Sequence, residues 1–78
     1  MEFEDFFKKF CEQFENDEAE NIKPDGDFRQ LWSWDSLTGM AVLTMISDNY
    51  NVVIPVDEFK KLNTPKELFQ AVSSKKIN

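Results

Sequence analysis

The sequence has 78 residues, of which 41% are apolar, 31% charged and 14% aromatic, and its formal net charge is −6. That length and composition are typical of one small globular domain and exclude a chain that is disordered throughout. There is no histidine and a single cysteine. Ser-His-Asp and Cys-His catalysis, a histidine metal site and a disulfide are therefore excluded, and no bound metal is expected.

The acidic charge is concentrated in the first half of the chain. Residues 1–35 hold eleven acids and four bases, whereas residues 36–78 hold four acids and five bases. Nucleic acid is a poor partner for such a chain because phosphates need a basic footprint. The N-terminus is acidic where a secretory signal is basic, and no apolar run approaches the ~20 residues of a membrane span. We therefore expect a cytoplasmic protein without membrane contact, with residues 1–78 forming one domain.

The first segment, residues 2 to about 16, has apolar side chains at helical spacing. They are Phe3, Phe6, Phe7, Phe10, Cys11 and Phe14. This stripe predicts an amphipathic helix. Residues 17–35 lack periodicity and include the turn signal Pro24-Asp25-Gly26-Asp27. The sequence predicts a long loop there, held to the core by Ile22, Phe28, Leu31, Trp32 and Trp34.

A second helix is predicted from residue 35 or 36 to about residue 50, because Asp35 is a good N-cap. Two neighbouring faces have helical spacing, and the main core needs only one of them. One face carries Gly39, Val42, Leu43, Ile46 and Tyr50, and the other carries Leu37, Met40, Ala41, Thr44 and Asp48. Asp48 is the sole charge on this helix, which implies burial on most sides or an apolar face kept for a partner.

The rest of the chain predicts two more helices. Residues 56–62 form a short helix or 3₁₀ turn after an extended stretch. Thr64-Pro65-Lys66-Glu67 has the pattern of a capping box with proline at the first helical position. Residues 73–78 are polar and are expected to fray. The predicted fold is all-α: a helix, a long loop, a helix, a short helix and a final helix around a Phe-rich core.

Asp35-Ser36-Leu37, at the start of the second helix, is the motif of this sequence most suited to take part in chemistry. The unpaired amides of a first helical turn favour anions, so a phosphodiester attached to Ser36 would lie in a favourable field. No histidine is present to activate the hydroxyl, which favours modification by another enzyme over catalysis. Such a tripeptide is also an ordinary helix cap, and the residues alone leave both interpretations open.

In its context the motif resembles that of an acyl carrier protein, over nearly the whole chain. Residues 31–72 carry the likeness. Trp34-Asp35-Ser36-Leu37 opens the second helix near the chain midpoint, Tyr50-Asn51 closes it, and Val53-Ile54-Pro55 follows. Thr64-Pro65-Lys66-Glu67-Leu68-Phe69 then leads the final helix, as in stand-alone bacterial carrier proteins.

The resemblance implies a four-helix bundle that catalyses nothing. A separate phosphopantetheinyl transferase would attach a 4′-phosphopantetheine arm from coenzyme A to Ser36, and Asp35 would help that enzyme to recognise the serine. The arm would hold acyl intermediates as thioesters and deliver them to partner enzymes in fatty-acid or specialised metabolite biosynthesis. The protein would act as a monomer. Its acyl-loading and acyl-transfer partners would dock on Leu37, Met40, Ala41, Thr44 and Asp48.

The second helix departs from the pattern of fatty-acid carrier proteins. Those proteins typically have Glu just after Asp-Ser-Leu and more acids along the helix, whereas this chain reads Thr38-Gly39-Met40-Ala41-Val42. Electrostatic steering by this helix should be weaker, which suggests partners that recognise apolar shape. The alternative function is a small acidic helical protein-interaction module in which Ser36 lies only beside a helix cap.

Two tryptophans, Trp32 and Trp34, flank Ser33 just before the motif. Alternation of side chains places both on the same side. Two interpretations stay open: anchors that pack the loop onto the bundle, or a wall for the pantetheine arm.

Overall fold

The computed structural model describes residues 2–31 and 34–76, and that part of the chain folds into helices without strands. In chain order the helices are α1 Phe3–Cys11, α2 Asn16–Ala19, α3 Ser36–Tyr50, α4 Val56–Phe59 and α5 Pro65–Lys75, with a 3₁₀ turn at Phe28–Gln30. The predicted all-α bundle, with a long connection before α3 and a short helix after it, is confirmed. The helical turns α2 and Phe28–Gln30 are additions that the sequence did not predict. Across the described residues, no helix combines the length and apolarity needed to cross a membrane.

Helix α1 is shorter than its apolar stripe predicts, ending at Cys11 rather than near residue 16. Beyond that point the backbone tightens into i→i+3 hydrogen bonds, in which the N–H of Gln13 donates to Phe10 O and the N–H of Phe14 donates to Cys11 O, each at 3.1 Å. Phe14 nevertheless stays buried, 5.1 Å from the Phe10 ring. The 3₁₀-type turn that follows α1 therefore keeps Phe14 in the core although the α-helix has ended.

The core is rich in phenylalanine, as predicted. Its buried members are Phe6, Phe10, Phe14, Ile22, Phe28, Val42, Met45, Ile46, Tyr50, Val52, Ile54, Phe59, Leu68 and Val72. Phe6 of α1 joins the three long helices, since its ring lies 5.8 Å from Tyr50 of α3 and 5.5 Å from Phe69 of α5. Aromatic pairs at such separations contribute about 0.5–1.5 kcal/mol beyond their burial.

The structure shows which of the two predicted faces of α3 packs against the core. The buried residues of this helix are Gly39, Val42, Met45, Ile46 and Tyr50. Leu37 and Met40, on the other face, are 77% and 65% exposed. The helix ends at Asn51, whose φ of 56° is left-handed, a conformation that asparagine tolerates better than most residues.

The start of α5 has the predicted capping box. The Glu67 N–H donates to Thr64 Oγ1 at 3.1 Å, and the Thr64 N–H donates to Glu67 Oε1 at 3.3 Å. The amides of Thr64 and Glu67 are therefore both satisfied, with Pro65 at the first helical position.

Helix α5 extends into the polar segment 73–78, which was expected to fray. Residues 73–75 continue the helix, and residues 77 and 78 lie outside the described part of the chain. Lys75 forms an ion pair with Glu58 of α4 at 2.8 Å, and Lys76 Nζ donates to the carbonyl oxygen of Tyr50 at 3.1 Å. These contacts to α3 and α4 hold the polar end in place, and the composition of the end alone did not reveal them.

Candidate functional site

The start of α3 is organised by the carboxylate of Asp35. Its Oδ1 accepts a hydrogen bond from the N–H of Thr38 at 2.8 Å, which is the predicted N-cap. This bond lowers the pKa of Asp35 below its ordinary value of 3.8. Asp35 and Ser36 are both exposed, and Ser36 is the first residue of the helix. A serine hydroxyl and a carboxylate that stays anionic at neutral pH are thus presented side by side to solvent.

A cleft of about 470 Å³ opens beside Ser36, between α3 and α4. Met40 and Leu43 line it from α3, and Val56 and Phe59 line it from α4. Clefts of this size with mostly apolar walls and a few polar groups are typical of small-molecule sites. The sequence placed Ser36 at a helix start but did not predict this cleft.

Trp34 both anchors the connecting segment and forms part of the cleft. Its ring lies 5.0 Å from Phe28 and 6.0 Å from Phe59, and the residue lines the cleft with Ser36. A Cβ atom on Gly39 would lie 3.4 Å from the Trp34 ring and 3.5 Å from the Phe59 ring, so both rings pack directly on the α3 backbone. The anchor interpretation is confirmed for Trp34, while Trp32 lies outside the described residues.

Arg29 fastens the connecting segment to the end of α4. Its Nε donates to the carbonyl oxygen of Leu62 at 3.1 Å, and its Nη2 donates to that of Phe59. The guanidinium also lies 5.3 Å from the Phe28 ring centre, 5.3 Å from Trp34 and 5.0 Å from Phe59. Cation–π contacts and charge-assisted hydrogen bonds at one side chain make a rigid wall for the cleft.

Helix α4 covers Val56–Phe59, and i→i+3 hydrogen bonds of the 3₁₀ type continue to Leu62, so the predicted short helix or 3₁₀ turn over residues 56–62 is present as both. After Phe59 the chain turns, with the Leu62 N–H donating to Phe59 O at 3.1 Å. Arg29 binds the carbonyls of Phe59 and Leu62, at the two ends of this turn. Arg29 was not among the predicted site residues; the signal available was that it is the one cation in the aromatic stretch from residue 28 to residue 34.

The structure separates the predicted partner-binding residues into two groups. Met40 lies beside Ser36 in the cleft wall, and Leu37 is exposed within the same first turns of α3. Thr44 and Asp48 are exposed farther along the helix, and Ala41 is half-buried. None of the last three residues lines the cleft.

Among residues 2–31 and 34–76, no cluster of three or more Cys, Asp or Glu side chains is arranged to hold an ion.

A small helical bundle that presents an exposed, capped serine beside an apolar cleft has the architecture of a carrier domain. The family model for the phosphopantetheine attachment site matches residues 5–72 of this chain. The match covers most of the sequence, and the chain belongs to this family. No curated protein sequence matches the chain.

Members of the family carry a covalently attached 4′-phosphopantetheine group. They are carrier proteins rather than enzymes, and they interact with phosphopantetheinyl transferases and acyl-handling enzymes. This chain is accordingly a phosphopantetheine-carrying protein of the acyl carrier type.

The residues around Ser36 suit such a group. The first turn of α3 favours a phosphate through its unpaired amides and its dipole. Arg29 and Lys60 bring positive charge to the cleft, and Met40 and Val56 offer apolar surface to the methyl and methylene groups of a pantetheine chain. Anionic and apolar parts of the arm would therefore each meet a matching surface.

Proposed function

We propose that Ser36 is the attachment residue, and that the protein carries acyl intermediates as thioesters on the arm it bears. The observation that supports this most is the position of Ser36, exposed at the start of α3 on the rim of the apolar cleft. The other described serines are exposed within helices and do not line the cleft: Ser47, Ser73 and Ser74. When bound, the arm supplies a terminal thiol, and the chain supplies the anchor.

Among residues 2–31 and 34–76, no effective general base lies beside Ser36. The chain has no histidine, and the carboxylate of Asp35 is a weak base because its hydrogen bond from Thr38 lowers its pKa. Removal of the hydroxyl proton during attachment therefore falls to the transferase. We assign to Asp35 the recognition of that enzyme, since its carboxylate is exposed next to the serine and anionic at neutral pH.

We propose that partner enzymes dock on the outward face of α3. Leu37 and Met40 expose apolar surface beside Ser36, and Val56 on the opposite rim of the cleft is 57% exposed. Neighbouring exposed apolar side chains mark interaction sites. Ala41, Thr44 and Asp48 extend this face along α3. With one charge on the helix, recognition depends on apolar shape more than on steering, which favours a dedicated partner set in fatty-acid or specialised metabolite biosynthesis.

The charge of the chain supports the remaining parts of the proposal. A net charge of −6 on 78 residues keeps free copies apart, in line with a monomer that exchanges among partners. The same charge disfavours nucleic acid. We propose that residues 1–78 form one carrier domain acting in the cytoplasm.

The proposal is tested by loading the purified protein with coenzyme A, magnesium and a promiscuous phosphopantetheinyl transferase, followed by intact mass spectrometry. The wild type and Ser47→Ala, a matched control on the same helix, are expected to gain one phosphopantetheine each. Ser36→Ala is expected to gain none. A wild type that stays unmodified while its circular dichroism is helical, or a modified Ser36→Ala variant, would overturn the proposal.

A further inference from the structure

Lys60 is the cation of the cleft that has no partner within the described chain. It follows α4 directly, its side chain is exposed, and it lines the same cleft as Ser36. Among residues 2–31 and 34–76 its ammonium makes no hydrogen bond or ion pair, whereas Lys66 pairs with Asp25 at 3.5 Å and Lys75 pairs with Glu58. Lys60 is thus available to an anion that enters the cleft.

The other charged groups of the cleft are already engaged. Arg29 donates to the carbonyls of Phe59 and Leu62 and stacks on three rings. The Asp35 carboxylate accepts the Thr38 amide at the cap of α3. Lys60, on the opposite rim of the cleft, is therefore the cation that remains available to pair with a new negative charge at Ser36.

We propose that Lys60 is the positioning residue for the prosthetic arm, pairing with the phosphodiester attached to Ser36. This inference rests on the proposed attachment at Ser36. The attached phosphodiester carries a negative charge at the rim of the cleft, where the first turn of α3 already favours anions. A lysine ammonium is a compact point charge on a flexible four-carbon stem, so it can follow the phosphate without disturbing α4.

The pairing would orient the arm with respect to the cleft. Lys60 lies at the end of α4 and Ser36 at the start of α3, so a phosphate held between them is tied to both walls. Met40 and Val56 then offer apolar surface to the part of the arm that follows the phosphate. An exposed ion pair of this kind is weak and salt-sensitive, which leaves the arm able to leave the cleft when a partner docks.

The test is ³¹P NMR of the modified protein, which observes the phosphodiester directly and needs no partner activity. Lys60→Gln is compared with Lys61→Gln, a control at the adjacent exposed lysine that does not line the cleft. Lys60→Arg keeps the charge and serves as the rescue variant. Each spectrum is recorded at low salt and at about 1 M salt, where the screening length falls to about 3 Å.

The wild type, Lys61→Gln and Lys60→Arg are expected to share a phosphodiester resonance that moves as salt rises. Lys60→Gln is expected to resonate at low salt where the wild type does at high salt, and its resonance should move little as salt rises, because the ion pair that salt screens is gone. Lys60→Gln and Lys61→Gln spectra that coincide would overturn the pairing while leaving the mass gain, and hence the proposed function, intact. Absence of the arm from all four proteins would overturn both.

Discussion

The guanidinium of Arg29 lies 5.0 Å from the centre of the Phe59 ring and also donates to the carbonyl oxygen of that residue. One side chain of the connecting segment therefore holds both the ring and the backbone at the end of α4. These two residues are 30 positions apart in the chain. The wall of the cleft opposite α3 depends on this contact, together with the bond from Arg29 to Leu62.

Replacing Arg29 should destabilise the fold. Arg29→Met keeps the apolar stem but removes both hydrogen bonds to carbonyls, and we expect a loss of about 2–3 kcal/mol in the free energy of unfolding, measured with urea. The free energy of unfolding of Arg29→Lys should lie between those of the wild type and Arg29→Met, because an ammonium lacks the planar fork of a guanidinium. The control is Lys23→Met, at an exposed lysine whose ammonium makes no hydrogen bond or ion pair within residues 2–31 and 34–76, and it should be nearly neutral. Equal stability of the Arg29→Met and Lys23→Met variants would contradict the role of Arg29.

Gly39 sets how closely the Trp34 and Phe59 rings approach α3. Gly39→Ala should raise the free energy of unfolding by about 0.5–1 kcal/mol, since alanine is the better helix former and its Cβ would lie at ordinary contact distance, 3.4 Å from Trp34. Gly39→Val should lower it by about 1–3 kcal/mol, because the added methyl groups meet both rings. Thermal unfolding of the pair measures the difference. A valine variant as stable as the alanine variant would show that the rings are not packed on α3 as described.

The cap at Asp35 predicts a pH dependence with a definite sign. Its folded-state pKa is lowered by the hydrogen bond from Thr38, so its contribution to stability is fully present above the ordinary value of 3.8 and is lost as pH falls through the lower folded pKa. Asp35→Asn keeps a good cap that does not titrate in this range. The difference in unfolding free energy between wild type and Asp35→Asn should be constant above about pH 5. At lower pH the wild type should lose stability relative to Asp35→Asn. A difference that stays flat throughout the acid range would count against the cap.

The docking face predicts an effect on loading by the transferase. Met40→Glu adds charge and removes apolar surface beside Ser36, and we expect kcat/KM for phosphopantetheine transfer to fall about tenfold, or about 1.4 kcal/mol. Val53→Glu makes the same kind of change at an exposed aliphatic residue that lies outside α3 and the cleft, and it should load at the wild-type rate. Equal kinetics for the two variants would remove Met40 from the docking face.

Much of the fold could be predicted because its signals are local. The Phe6 and Phe10 stripe, the Asp35 cap and the Thr64–Glu67 capping box each depend on residues within a few positions of one another. Helix ends were less predictable. Phe14 keeps helical spacing although α1 has ended at a 3₁₀-type turn, and residues 73–75 stay helical because the end of α5 contacts α3 and α4.

The candidate site, like the fold, could be predicted only in part from the sequence. Ser36 and Asp35 were identifiable from a short motif at a helix start, whereas the cleft was not. Its wall opposite α3 is held by Arg29, which binds carbonyls 30 and 33 residues away, and Lys60 lines the same cleft as Ser36 only after the chain folds. Such long-range contacts leave no periodicity or spacing in the sequence.

The central claim, attachment at Ser36, is tested most directly by fragmenting the modified protein in a mass spectrometer and locating the added group. The account predicts one phosphopantetheine per chain, carried by the fragment ions that contain Ser36 and by none that contain only Ser47, Ser73 or Ser74. A group found on any other residue, or a folded protein that accepts none from coenzyme A and an active transferase, would contradict it.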